Sequence, residues 1–173
     1  MEQGYLQIYT GNGKGKTTAA MGLALRAAGA GLQVYIGQFV KDMKYSEVRL
    51  IEKALPQIQV DLLGKGCFID RPPEEMDRQA AQDGLAHVLQ QMESGRYDVM
   101  ILDEISIAIV CGLLTEDEVL ALVDRRPQGM ELVLTGRYMP SRLMDKADLI
   151  TEMREVRHYY TEKGVLARDG IER

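Results

Sequence analysis

The sequence predicts an α/β fold of three layers, a mostly parallel sheet flanked by helices. Three observations carry this expectation. Strand-like and helix-like runs alternate along the chain, as a parallel sheet with crossover helices requires. Several strand-like runs, such as Val99-Met100-Ile101-Leu102, are apolar on consecutive residues, the pattern of strands buried on both faces. The first strand-like run also leads through a glycine-rich turn straight into a helix-like run.

Taken in order, the first strand is expected at Tyr5–Thr10 and the first helix at Lys16–Ala28. That helix is apolar nearly all round, with Arg26 its only charge beyond Lys16. It is therefore expected to be buried, with the small residues Ala19, Ala20, Gly22 and Ala24 letting it sit close to the sheet. A strand at Gln33–Phe39, a helix at Ser46–Leu55 and a strand at Gln57–Leu62 follow. Gly64–Glu75, with two Gly and two Pro, reads as a loop at the sheet edge. Helix Glu74–Ser94 alternates charges with Met76, Ala80, Leu85, Val88 and Leu89, a surface helix with one core face. After the strand Asp98–Asp103, Thr115-Glu116-Asp117-Glu118 forms a capping box that opens a helix to Asp124. A strand at Glu131–Gly136, a helix at Ser141–Lys146 and a strand at Asp148–Glu152 complete the alternation. The tail from Val156 to Arg173 is expected to form a hairpin around Glu162-Lys163-Gly164.

At 173 residues, with no internal repeat, low-complexity segment or linker, residues 1–173 are expected to form a single domain. Hydrophobic content of 46% and charged content of 27% are ordinary for a soluble globular protein. The net charge of −5 favours neither nucleic acid nor an anionic membrane. Two cysteines, Cys67 and Cys111, with no C-x-x-C pairing and only two histidines, argue against a zinc site. Few thiols, no signal peptide and no long apolar run together predict a cytoplasmic protein. Ten methionines and no tryptophan suggest an adaptable core.

The chemistry is concentrated in Thr10-Gly11-Asn12-Gly13-Lys14-Gly15-Lys16-Thr17, followed by Thr18. Strand, glycine-rich turn and Gly-Lys-Thr is the layout of a phosphate-binding P-loop, and it makes the expected fold P-loop NTPase-like. The glycines let backbone N–H groups converge on one point, and the helix behind adds about half a positive charge at its first turn. Lys16 contributes a full charge, and the Thr17 hydroxyl can ligate a Mg²⁺ held by the phosphates. The general pattern G-x-x-x-x-G-K-[ST] asks for Gly at position 10, where this chain has Thr10; glycines 11, 13 and 15 are expected to supply the flexible backbone one step later. The segment predicts nucleoside triphosphate binding; a glycine-rich turn without a ligand is the alternative.

Two further strand ends point to the same place. Val99–Asp103 runs into Asp103-Glu104, and a strand neighbouring such a loop characteristically ends in an acid facing the bound metal. Adjacent residues point different ways, so one carboxylate meets the metal shell while the other orients something else. Leu132-Val133-Leu134-Thr135-Gly136-Arg137 places Arg137 beyond the carboxyl end of its strand, where ligands of open α/β sheets bind, and its planar fork suits phosphate oxygens. A surface arginine remains the plain alternative. Arg26, two to three turns into the first helix, either faces the nucleotide or stands in solvent. His87 and His158 carry no catalytic signal.

Together these segments resemble the P-loop family of corrinoid adenosyltransferases. The resemblance covers nearly the whole chain. It is carried by Tyr9 to Ala20, Arg26-Ala27-Ala28-Gly29, Gln38-Phe39 with Lys41, and Ile101-Leu102-Asp103-Glu104. Arg126-Pro127, Leu134 to Arg137, Ala147-Asp148, Thr151-Glu152-Met153 and Gly170-Ile171-Glu172 complete it. Thr10, which departs from the general loop pattern, belongs to this family's version of it. The resemblance implies a transferase of cobalamin biosynthesis that moves the 5′-deoxyadenosyl group of ATP onto the Co(I) of a reduced corrinoid and releases triphosphate. It implies that Thr10 to Thr18 wrap the triphosphate, with Lys16, Glu104 and Arg137 as the catalytic groups and Arg26 beside the nucleotide. Thr17, Asp103 and Glu104 would hold Mg²⁺ or Mn²⁺, and Gln38, Phe39, Cys67 and Phe68 would lie on the corrinoid side. A flavoprotein reductant and a homodimer are further implications.

Cobalt(I) is itself a strong nucleophile with no proton to lose, so no general base is required, and the chain offers no convincing one. What the transition state needs is stabilisation of the charge growing on the departing triphosphate. The chain also departs from the family pattern. Where many relatives carry a Gly-Phe-Thr-Trp-like run, it has Gly66-Cys67-Phe68-Ile69, and the Gly that usually follows Gln-Phe-x-Lys is Asp42. Only four residues precede the first strand, so the longer N-terminal segment of some relatives is expected to be absent. Two other functions stay open on the sequence: a P-loop ATPase or small-molecule kinase with Glu104 as base, and a non-catalytic ATP-sensing regulator.

Overall fold

The computed structural model describes residues 2–41, 43–64 and 72–173. Six strands form one sheet: β1 (Leu6–Thr10), β2 (Val34–Gln38), β3 (Ile58–Leu62), β4 (Val99–Asp103), β5 (Glu131–Thr135) and β6 (Leu149–Glu152). The order across the sheet is β3-β2-β4-β5-β1-β6 and every pairing is parallel. The helices among the described residues are α1 (Lys16–Gly29), α2 (Ser46–Ala54), α3 (Glu75–Glu93), α4 (Ile105–Val110), α5 (Glu116–Asp124), α6 (Ser141–Met144) and α7 (Tyr159–Lys163).

Alternation along the strands sorts the core into two layers. Val34, Ile36, Val99, Ile101 and Val133 point to one face, where Ala20, Ala24, Ala27 and Ala28 of α1 and Ile51 of α2 cover them. Tyr35, Met100, Leu102, Leu132 and Leu134 point to the other. There they meet Ala81, Leu85, Val88 and Met92 of α3, Ile105 and Ala108 of α4, Val119 and Leu122 of α5, and Leu143 of α6. Central strands β2 and β4 are buried at every residue, which is why they read as unbroken apolar runs. The three-layer α/β architecture is as expected.

Four expectations need correction. The first helix is not buried all round: its alanine stripe lies on the sheet, while Leu25 is 57% exposed and nothing lies within contact of Gly22. On α3 the inward stripe is Ala81, Gly84, Leu85, Val88 and Met92, and Met76 faces solvent. A helix follows β4 directly, because Glu104 adopts a left-handed conformation (φ 60°) that turns the chain from strand to helix within one residue. The tail makes no hairpin. Tyr159–Lys163 is a short helix, opened by the His158 ring, which accepts from the Tyr160 N–H, and closed by Gly164 at φ 64°. The Thr115–Glu118 capping box forms in both directions. Most of the expected edge loop, with Cys67 and Phe68, lies outside the described residues.

Candidate functional site

Strands β1, β2, β4 and β5 all end at one edge of the sheet, and their carboxyl ends meet below the loop that joins β1 to α1. Thr10 is the last residue of β1, paired with Glu152 of β6, and its carbonyl accepts from the Met153 N–H at 2.9 Å. It serves the sheet rather than the turn, which is why a glycine is not needed there. The turn itself presses on the end of β6. A Cβ at Gly13 would lie 2.7 Å from the Met153 carbonyl oxygen and 2.8 Å from the Arg154 carbonyl carbon, and the Gly13 N–H donates to that same Met153 oxygen. Gly15 caps α1 at φ 123°, a conformation closed to other residues. Gly13→Ala is expected to force the loop off β6. It should cost about 1–3 kcal/mol of stability by overpacking, and it should weaken ATP binding, both read by thermal melting and calorimetric titration.

Inside the loop the Lys16 ammonium donates to the carbonyls of Gly11 (2.7 Å) and Gly13 (2.9 Å). Across from it lies Asp103, fully buried. Its Oδ1 accepts from the hydroxyls of Thr17 (2.8 Å) and Thr135 (2.7 Å), and its Oδ2 from Gln38 Nε2 (3.0 Å) and Lys41 Nζ (2.8 Å). Thr135 also accepts from the Glu104 N–H at 3.0 Å, which fixes the turn that carries the Glu104 carboxylate into the pocket. The pocket holds about 490 Å³. It is lined by the loop from Gly13 to Thr18, by Lys41, Glu104 and Arg137, and by the tail residues Ile171 and Glu172.

The electrostatics are those of a site waiting for a counter-charge. Burial, and then the Arg137 guanidinium, push the Lys16 ammonium below its usual pKa, with Glu104 and Asp103 opposing. Burial, and then the neighbouring Asp103, push the Glu104 carboxyl upward, with Lys41, Lys16 and Arg137 opposing. A hydrated anion brought in with a cation would relieve both.

Gly13 to Thr18, Glu104 and Arg137 of the sequence-derived site thus line one pocket, with Asp103 beneath it. Thr10, Gly11 and Asn12 shape the loop without lining the pocket. Arg26 sits exposed in the last turn of α1, ten residues or about 15 Å along the axis from Lys16. Gln38 is spent on Asp103, and Phe39 is a core residue, 1% exposed. Three features were not foreseen. Lys41 reaches Asp103, and the amino end of α2, Tyr45 to Glu47, forms one wall. The tail forms the other: Tyr159 and Arg168 both engage Glu172, the Ser46 hydroxyl donates to the Arg173 carbonyl at 3.2 Å, and His158 lines the pocket. The Lys41 and Gly170-Ile171-Glu172 segments stood out in sequence only through the family resemblance.

Among the described residues no three His, Cys, Asp or Glu side chains cluster as a metal cage. The oxygen set of Thr17, Asp103 and Glu104 nevertheless suits a hard divalent ion, which is bound through one or two carboxylates, water and substrate phosphates.

Comparison with known proteins gives the family of the chain. Two relatives named corrinoid adenosyltransferase are 33% and 31% identical to the chain over 172 residues, in Escherichia coli (strain K12) and Pseudomonas aeruginosa respectively. They match 99% of this chain and 86% and 84% of the relatives. A relative in Salmonella typhimurium named corrinoid adenosyltransferase CobA is 33% identical, over 99% of this chain and 86% of its own length. Residues 2–173 match the family described as ATP:corrinoid adenosyltransferase BtuR/CobO/CobP, and the chain belongs to that family.

Proposed function

We propose that residues 1–173 form one nucleotide-binding domain that holds ATP by its triphosphate on the loop Gly11–Thr18 and transfers the 5′-deoxyadenosyl group to a reduced corrinoid. The family membership gives the reaction class, a transferase; ATPase, kinase and sensor readings are not favoured by it. The observation that carries the site reading is the convergence of Lys16, Arg137 and the loop residues Gly13 to Thr18 on one pocket, with Thr17 joined to the buried Asp103.

In this reading the Co(I) lone pair of the substrate attacks C5′ of ATP. The new Co–C bond forms as the C5′–O bond breaks, and the electron pair leaves with the triphosphate. No proton moves, so the reaction needs no base. The loop N–H groups, Lys16 and Arg137 stabilise the charge that grows on the leaving oxygens. Thr17, Asp103 and Glu104 would hold Mg²⁺ or Mn²⁺, which when bound offsets further phosphate charge. Glu104 lines the pocket and Asp103 is the buried anchor of Thr17.

The finer assignments are part of the same proposal. Gln38, Phe39, Cys67 and Phe68 are assigned to the corrinoid side by the resemblance alone. A flavoprotein supplies the reducing electron. The protein works as a cytoplasmic homodimer; the uncovered edge strand β6, with Leu149 and Ile150 nearly half exposed, offers one surface for pairing. No helix among the described residues is long and apolar enough to cross a membrane.

The test is anaerobic incubation with ATP, Mg²⁺ and chemically reduced cobalamin, followed by absorbance. The Co(I) spectrum should give way to that of an alkylated, light-sensitive corrinoid. A Co(I) spectrum that persists until air is admitted would count against the proposal.

A further inference from the structure

We infer that Lys41 is a third cation of the triphosphate site, parked on Asp103 until a divalent ion takes over that carboxylate. The inference rests on the pocket being the nucleotide site and adds to it a coupling between metal and phosphate.

Asp103 has no contact with solvent and accepts from four groups, of which only Lys41 carries a charge. A charge buried without a partner is costly, so Lys41, 2.8 Å from Oδ2, serves as the counter-charge of Asp103 beneath the loop. Lys41 is not itself locked away. Its side chain is 17% exposed, it stands 5.3 Å from the Tyr45 ring centroid, and it lines the same pocket as Lys16, Glu104 and Arg137.

The backbone that delivers it is strained. Val40 sits at φ 71°, a left-handed conformation that a β-branched residue adopts only under constraint. The constraint is visible. The Phe39 N–H donates to the Asp103 carbonyl and the Leu63 N–H to the Gln38 carbonyl, both at 2.9 Å. Gly64 packs so tightly that a Cβ there would lie 2.5 Å from the Val40 nitrogen. Core packing therefore fixes a kink just past β2, and the kink brings Lys41 back over the end of β4. Strain held at this point is explained by a task for the residue it positions.

The two oxygens of Asp103 divide the task. Oδ1 is 2.8 Å from the Thr17 hydroxyl, the side on which a metal ion would arrive, and Oδ2 holds Lys41. Were Thr17 and Asp103 to hold a divalent ion, its charge would replace that of the ammonium at Asp103. The ammonium would then be repelled by the new cation and drawn to the phosphate oxygens. Lys41 and the metal therefore compete when no phosphate is present, and cooperate when it is.

Both halves are measurable without turnover. The probes are inorganic triphosphate, titrated by calorimetry with and without Mg²⁺, and Mn²⁺ alone, titrated by electron paramagnetic resonance. In Lys41→Met, triphosphate affinity in Mg²⁺ should fall about tenfold, the scale of one lost charge-assisted contact. Mn²⁺ alone should bind more tightly, because Asp103 has lost its resident cation. Lys41→Gln keeps a donor for Asp103 and should show both shifts if the methionine variant fails to fold. Unchanged triphosphate affinity, or Mn²⁺ affinity that is unchanged or weaker, overturns the inference. A purely structural ion pair would lower the melting temperature and move neither titration in this way. Should the unaltered protein bind no triphosphate, the site reading itself fails, and Lys16→Ala serves as the non-binding reference.

Discussion

Lys16→Ala is expected to abolish ATP binding and adenosyl transfer together. The ammonium donates to the Gly11 and Gly13 carbonyls, which hold it inside the loop. Its pKa is held down by burial and by Arg137, which means that the charge is costly where it stands and is best used against an anion. In the transfer reaction that anion is the leaving group. The charge on the triphosphate rises as the C5′–O bond breaks, so loss of Lys16 acts on the transition state at least as strongly as on the ground state. Removal of a single preorganised donor costs about 3 kcal/mol, or more than 10²-fold in rate. Removal of a full charge should exceed that. The measurements are ATP titration and single-turnover rate, with a thermal melt to confirm that the variant is folded. Near-parental ATP affinity in a folded Lys16→Ala would contradict the loop reading.

Glu104→Gln should separate turnover from stability. The carboxylate is carried into the pocket by a residue in a left-handed conformation, and its charge is opposed by burial and by Asp103 next to it. Such an arrangement destabilises the resting protein and is retained where function uses it. Metal-dependent turnover in Glu104→Gln is expected to fall about 10²-fold. ATP binding, which Lys16, Arg137 and the loop still provide, should fall by less than about tenfold. Without ligands the variant should be more stable than the parent, and the sign of the pH dependence follows. Because the folded-state pKa of Glu104 is raised, the folded protein holds this proton more tightly than the unfolded chain. The parent therefore loses stability as pH climbs from the ordinary carboxylate value of 4.5 through the raised one. The gain in melting temperature should be present at neutral pH and vanish below the ordinary value. Unchanged activity across a Mg²⁺ titration would remove Glu104 from the metal shell.

Much of this molecule was legible in the sequence because parallel sheets leave a coarse signature. Val99 to Leu102 and Leu132 to Leu134 are apolar at every step, since helices cover both faces, and the strands they announce lie within a residue or two of their expected bounds. The loop glycines were legible too, although the reason for two of them was not. Gly11 and Gly13 are small because the end of β6, some 140 residues away, presses against them, and no local pattern shows such a contact. What could not be read depends on single backbone torsions. Ile105 to Val110 is rich in β-branched residues and follows a strand, so nothing marks it as a helix until Glu104 turns the chain. Lys41 reaches Asp103 through the strained Val40, and the tail reaches the pocket folded on itself by Glu172 and tied to the distant Ser46 through the Arg173 carbonyl. The outward face of α1 misled because alanine and glycine suit both a buried helix and an exposed one.

The central claim is that the loop grips a leaving group. Phosphorus NMR of a single-turnover mixture of enzyme, ATP, Mg²⁺ and reduced corrinoid tests it directly. The account predicts intact inorganic triphosphate, appearing in step with the alkylated corrinoid and in equal amount. ADP or orthophosphate as the first phosphorus product, with no triphosphate preceding it, would contradict it.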